Sequence, residues 1–268
     1  MFLTLFVYDG VLRPLVAALV ALPAIPGGLN MLTVILVLFS LWHASYSLGA
    51  RLTVAFFAIT AVTSWLFEEL GVATGLVYGA YHYTATLGPW LGSVPVLIPL
   101  AWFMMIYPSY VLANLIVDGR VVGTPGSGAH LLGLAFLGAL LMTAWDLLAD
   151  PILSGPTYRA WVWEHGGTYF GVPVQNYLGW VATTFVVFVL YRSLERRWTP
   201  RPAGPLSAGA SGMPVVAYLS MLVANLWSGA LPAAATVIGP FAMGLPVVAA
   251  LLRLRDTDGP PAETRPGG

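Results

Sequence analysis

Lysine and cysteine are both absent from this 268-residue chain. Without lysine there is no Schiff-base amine, no P-loop lysine and no pyridoxal attachment point. Without cysteine there are no disulfides, no iron–sulfur ligands and no thiolate nucleophile, and the redox compartment cannot be inferred. Charge is scarce too. Charged residues make up 8% of the chain, 11 arginines against 11 acids, where a soluble domain carries about a quarter. So few charges cannot clothe a soluble fold of this size. Hydrophobic residues reach 58% and the mean hydropathy is +0.82, so the chain is read as an integral membrane protein. The zero net charge and the lack of a basic patch argue against nucleic acid as a partner. The opening MFLTLFVYDG has neither a basic n-region nor a small-residue cleavage site, so no cleaved signal peptide is expected.

What is present is a series of apolar stretches, each near the roughly 20 residues that cross a hydrocarbon core as a helix. Eight are read, at 8–25, 29–47, 51–71, 94–117, 129–150, 174–194, 213–230 and 232–252. The expected fold is an all-α, polytopic transmembrane helical bundle of about eight spans with two long outer loops rich in aromatics and glycine. Residues 1–253 form a single transmembrane domain in this reading, and 254–268 a disordered C-terminal tail. The connector 195–212, rich in proline and glycine, reads as irregular. Arg51, Arg120, Arg192, Arg196, Arg197, Arg201, Arg253 and Arg255 fall on one side of this topology. The positive-inside rule makes that side, and both termini, cytoplasmic.

The acids follow another rule. Glu68 and Glu69 lie at the outer end of span three, Asp146 and Asp150 at the outer end of span five, and Glu164 in the next loop. A carboxylate near hydrocarbon costs several kcal/mol unless paired, hydrated or neutral, so acids placed there are functional-site candidates. Asp146 and Asp150 are four apart and share a helix face. Glu68 and Glu69 are adjacent, about 100° apart on a helix, and cannot both point inward. Asp150 also stands before Pro151, where a helix could simply end.

Two segments match at an offset of 78 residues, as either an internal duplication or a coincidence of spacing. Glu68 falls on Asp146, Gly88 on Gly166, Val94–Pro95 on Val172–Pro173 and Trp102 on Trp180. Each copy would be a helix, an aromatic–glycine loop and a helix begun by proline. One loop carries Tyr78, Tyr81, His82 and Tyr83; the other carries Trp161, Trp163, Glu164 and Tyr169. Such rings gather at membrane interfaces for their amphipathic shape. They would equally line a pocket for a hydrophobic substrate. Trp102, Tyr107 and Trp145 in the spans, with Asn176 and Trp180 at the start of span six, extend that list. Pro99 and Pro108 are expected to kink span four and open space beside Tyr107 and Trp102.

Buried, closely spaced carboxyl groups can retain a proton and give it away. Aromatic faces stabilise a cation in dry surroundings. Together they suggest acid-started carbocation chemistry. The histidines His43, His82, His130 and His165 are scattered, and no metal site is expected.

The stretch FEELGVATGLVYGAYHYTATLGPWLGSVPVLIPLAW, then AWDLLADP, then WVWEHGGTYFGVPVQNYLGW, resembles the membrane carotenoid hydratase family, which includes bisanhydrobacterioruberin hydratases and γ-carotene 1′-hydratases. The similarity covers about residues 60–185. It implies a cofactor-independent hydro-lyase that adds water across the C1=C2 bond of an acyclic ψ-end group, in a prokaryotic cytoplasmic membrane. Glu68, Asp146 and Asp150 look like the family's acidic positions, and Glu69 blurs which glutamate corresponds. The partners implied are a membrane-dissolved carotenoid or other isoprenoid, the lipid bilayer and other carotenoid enzymes. Two other readings stay open. The same acid and cage could cyclise an isoprenoid, and clustered acids with proline-broken spans also occur in proton-coupled transporters.

Overall fold

The computed structural model describes residues 28–123, 126–198, 200 and 207–257. The span read at 8–25 lies outside them. Within them are α1 (Gly28–Leu48), α2 (Ala50–Thr74), β1 (Tyr81–Tyr83), β2 (Trp90–Leu91), β3 (Val94–Pro95), α3 (Leu97–Asp118), α4 (Gly128–Leu153), β4 (Trp161–Trp163), α5 (Val174–Glu195), α6 (Ala208–Trp227), α7 (Ala235–Gly239) and α8 (Leu245–Thr257). Among the described residues seven helices are long and apolar enough to cross a membrane, α7 and α8 counting as one through the turn between them. The chain is an integral membrane protein.

Apolarity does not separate inside from outside here, because lipid is as apolar as the core. In α2 the exposed face is Val54, Val62, Leu66 and Leu70. The buried face carries Thr53, Thr60, Thr63, Ser64 and Glu68, recurring every three or four residues. Polar groups therefore mark the inward side. α3 is the hub. It packs against α1, α2, α4, α6 and α8, and its inner turns from Trp102 to Leu115 are buried throughout.

Among the described residues three prolines sit inside α-helices beyond the first turn: Pro108, Pro151 and Pro214. Each frees the carbonyl four residues before it. In hydrocarbon such a carbonyl needs another donor, and each finds one on a different element. Ser40 donates to Met104 (3.5 Å), Tyr169 to Leu147 (3.1 Å) and His43 Nε2 to Ala210 (2.9 Å). A carbonyl can only accept, so His43 carries its proton on Nε2. Its Nδ1 is then the acceptor for the Tyr107 hydroxyl at 2.6 Å.

Several expectations need correction. Helix α4 does not stop before Pro151 but runs to Leu153, because the hydroxyl of Tyr169 replaces the missing amide. The stretch read as a span from 94 opens with strand β3, and the helix begins at Leu97. Proline starts the helix in the second copy alone, where Pro173 precedes Val174. The connector is helical from Ala208, capped by Ser207, whose hydroxyl accepts from Ala210 N. The last span is not one regular helix. Pro240 lacks an amide hydrogen, and a π-turn over Pro240–Gly244 joins α7 to α8. The tail was placed from 254, but α8 continues to Thr257; residues 258–268 lie outside the described ones. Arg192 is more than a topology marker. It is 3% exposed, lies over the Tyr110 ring at 4.7 Å and approaches Glu195 at 4.0 Å.

Candidate active site

The two long loops are not independent. Strand β1 pairs antiparallel with β4, matching Tyr81 with Trp163, His82 with Val162 and Tyr83 with Trp161. Mirrored backbone bonds extend the ribbon, Thr84 N to Ala160 O and Glu164 N to Ala80 O, both 3.0 Å. Strand alternation sends Tyr81, Tyr83, Trp161 and Trp163 to the face over the bundle. His82 points the other way and meets Glu164 on the half-exposed outer side.

Beneath the ribbon lies a cavity lined by Glu68, Asp146 and Asp150. These carboxyls are 4%, 1% and 1% exposed. Each has its own set of partners. Glu68 Oε2 accepts from the hydroxyls of Tyr81 and of Tyr83 (the latter at 2.8 Å), and its Oε1 accepts from Trp102 Nε1 at 3.0 Å. Asp150 Oδ1 accepts from Trp161 Nε1 at 3.0 Å and Trp163 Nε1 at 3.1 Å. The amide of Asn176 lies between the aspartates, with Nδ2 2.8 Å from Oδ2 of each. Burial, and next the charge of Glu68, push the Tyr81 and Tyr83 phenols well above their ordinary range, so both keep their protons.

Tyr78 also lines the cavity, between two glycines. A Cβ on Gly71 would lie 2.8 Å from its ring, and one on Gly179 2.5 Å. Its hydroxyl shares a 2.8 Å bond with Thr183. Trp102 and Trp180 stack with centroids 4.2 Å apart, and Trp145 tilts against Trp180 at 5.9 Å. The cavity thus joins three carboxyls to eight aromatic rings, those of Tyr78, Tyr81, Tyr83, Trp102, Trp145, Trp161, Trp163 and Trp180.

Five residues expected at the site stand away from the cavity lining. Glu69 accepts from Ser93 N at 2.6 Å and holds the β2–β3 turn, as its 100° offset from Glu68 requires. Glu164 and His82 share the ribbon's outer face, because they alternate with inward residues. Tyr107 is held by His43, and Tyr169 closes the gap behind Pro151. Other lining residues were missed. Leu32 and Thr33 come from α1, Leu97, Ala101 and Met104 from α3, and Met221 from α6. Nothing separates the apolar ones among them in sequence from residues that face lipid.

The helices thus enclose a carboxyl cluster in an aromatic, otherwise apolar cavity. The family model for "carotenoid biosynthesis protein" matches residues 28–251, and the chain belongs to that family. It is 33% identical over 137 residues to the bisanhydrobacterioruberin hydratase of Haloarcula japonica. That match covers 50% of this chain and 43% of the relative, so the chain spans less than half of the relative's length. No solved structure matches it.

Proposed function

We propose that this protein is a carotenoid hydratase, a hydro-lyase acting on the acyclic ψ-end of a membrane-dissolved carotenoid at the outer side of a prokaryotic cytoplasmic membrane. The observation that carries the reading is the convergence of Glu68, Asp146 and Asp150 on one aromatic cavity. A proton from a carboxyl adds to C2 of the C1=C2 bond, leaving a tertiary cation at C1 against the indole and phenol faces. Water bonds to C1 and loses its proton to a second carboxyl. The π bond breaks, a C–H and a C–O bond form, and return of that proton to the first carboxyl closes the cycle.

The test is the Asp146→Asn variant in a lycopene-producing host. The parent chain should yield product heavier by one water. The variant, at equal protein level, should lose at least about a hundredfold of it. Undiminished hydration by the variant would overturn the role of Asp146. A product of unchanged mass from the parent chain would instead mean cyclisation.

A further inference from the structure

The partners of the three carboxyls differ in what they can do with a proton, and that difference separates their roles. Indole nitrogen and amide nitrogen only donate hydrogen bonds, whereas a phenol can donate or accept. Asp150 is surrounded by two indoles on Oδ1 and the Asn176 amide on Oδ2. All three donate, filling both lone pairs of Oδ1 and one of Oδ2, an arrangement that favours the unprotonated carboxylate. Asp150 is therefore held as an acceptor. Glu68 is different. Oε1 meets an indole, but Oε2 meets two phenols, which can rotate from giving to receiving. Glu68 can be satisfied in either protonation state. Asp146 receives one donor, Asn176, on Oδ2. Among the described residues no hydrogen bond engages its Oδ1, and the residue lines the cavity.

We infer that the carboxyls divide the reaction among three roles: Asp146 carries the transferable proton on Oδ1, Asp150 is the counter-anion, and Glu68 takes the proton released by water. Trp161, Trp163 and Asn176 become positioning residues that keep Asp150 unprotonated. The inference rests on the hydratase reading for its chemistry but not for its test. A general acid must begin protonated and expose that proton to substrate. A base must tolerate both states, which the phenols of Tyr81 and Tyr83 permit. A counter-anion should not compete for the proton, and the three donors on Asp150 favour that. The developing cation at C1 then forms beside a charge already in place.

The test is infrared spectroscopy of the purified full chain in lipid, without substrate, following the C=O stretch of protonated carboxylic acid. The parent chain should show the band, Asp146→Asn should lose it, and Asp150→Asn should retain it. Trp163→Phe keeps a ring but removes one donor from Asp150. It should add a second band or shift the first, with hydration falling about tenfold. A merely structural tryptophan would lower activity without touching the band. Loss of the band in Asp150→Asn, or its survival in Asp146→Asn, overturns the inference. If Asp146→Asn does not accumulate, an unmoved band in Trp163→Phe overturns it as well. The predicted bands in a chain that hydrates nothing would sink the hydratase reading and leave the proton assignment standing.

Discussion

The two halves of the site follow one plan and differ at a few positions. The β-bridge Leu91–Val94 in the first loop recurs as Tyr169–Val172 in the second, at the 78-residue offset. The two non-glycine residues with positive φ among those described, Arg159 (46°) and Phe170 (50°), stand where the first half has Gly79 (104°) and Gly92 (69°). Gly92 and Phe170 correspond at the 78-residue offset; Gly79 and Arg159 correspond through the ribbon, which is shifted two residues from it. Left-handed backbone is ordinary for glycine and costs other residues about 1 kcal/mol or more. Such agreement favours duplication over coincidence of spacing. The carboxyls show what changed. In the first half the ribbon grips Glu68. In the second it grips Asp150, one turn beyond the position equivalent to Glu68, and Asp146 at that equivalent position keeps only Asn176. One half supplies a single adaptable carboxyl, the other a gripped one and a freer one.

Substitutions that erase this asymmetry should have the largest effects. Asp146→Asn, read by product mass in a carotenoid-producing host, should cost about a hundred- to ten-thousandfold in hydration. Asp150→Asn should fall next, by roughly a hundredfold, through loss of fixed charge beside the cation; an effect under threefold would say the two halves are interchangeable. Tyr83→Phe leaves Glu68 two donors and should lose about tenfold, less than the double change Tyr81→Phe with Tyr83→Phe. Tyr169→Phe strands the Leu147 carbonyl behind Pro151 and should lower stability by about 1–3 kcal/mol in detergent unfolding, with protonated-carboxyl infrared bands intact. The smallest effect has the opposite sign. Arg159→Gly restores the first half's residue and should raise the melting temperature slightly, corresponding to no more than about 1 kcal/mol.

Much of the frame was legible before any coordinates. Seven of the eight expected spans meet a described helix, since length and hydropathy report the bilayer directly. Of the five acids that stood out, Glu68, Asp146 and Asp150 converge on one cavity, because hydrocarbon tolerates them only where something answers them. The rest was hidden in pairings distant along the chain. That α4 passes through Pro151 depends on a tyrosine 22 residues away. That the loops form one ribbon depends on partners 78 to 82 residues apart, each strand only three residues long and too short to show a period. Leu32 and Met221 reach the cavity solely through packing.

The three interior prolines bear on how the bundle assembles. A freed carbonyl in lipid works like an address label: it stays unanswered until the one neighbour carrying the right donor arrives. Ser40 and His43 both belong to α1, and they answer α3 and α6 respectively. A helix docked at the wrong rotation would satisfy neither. In a bilayer, where greasy surfaces gain little by leaving lipid for one another, these joints give the chain a way to recognise its own correct neighbours.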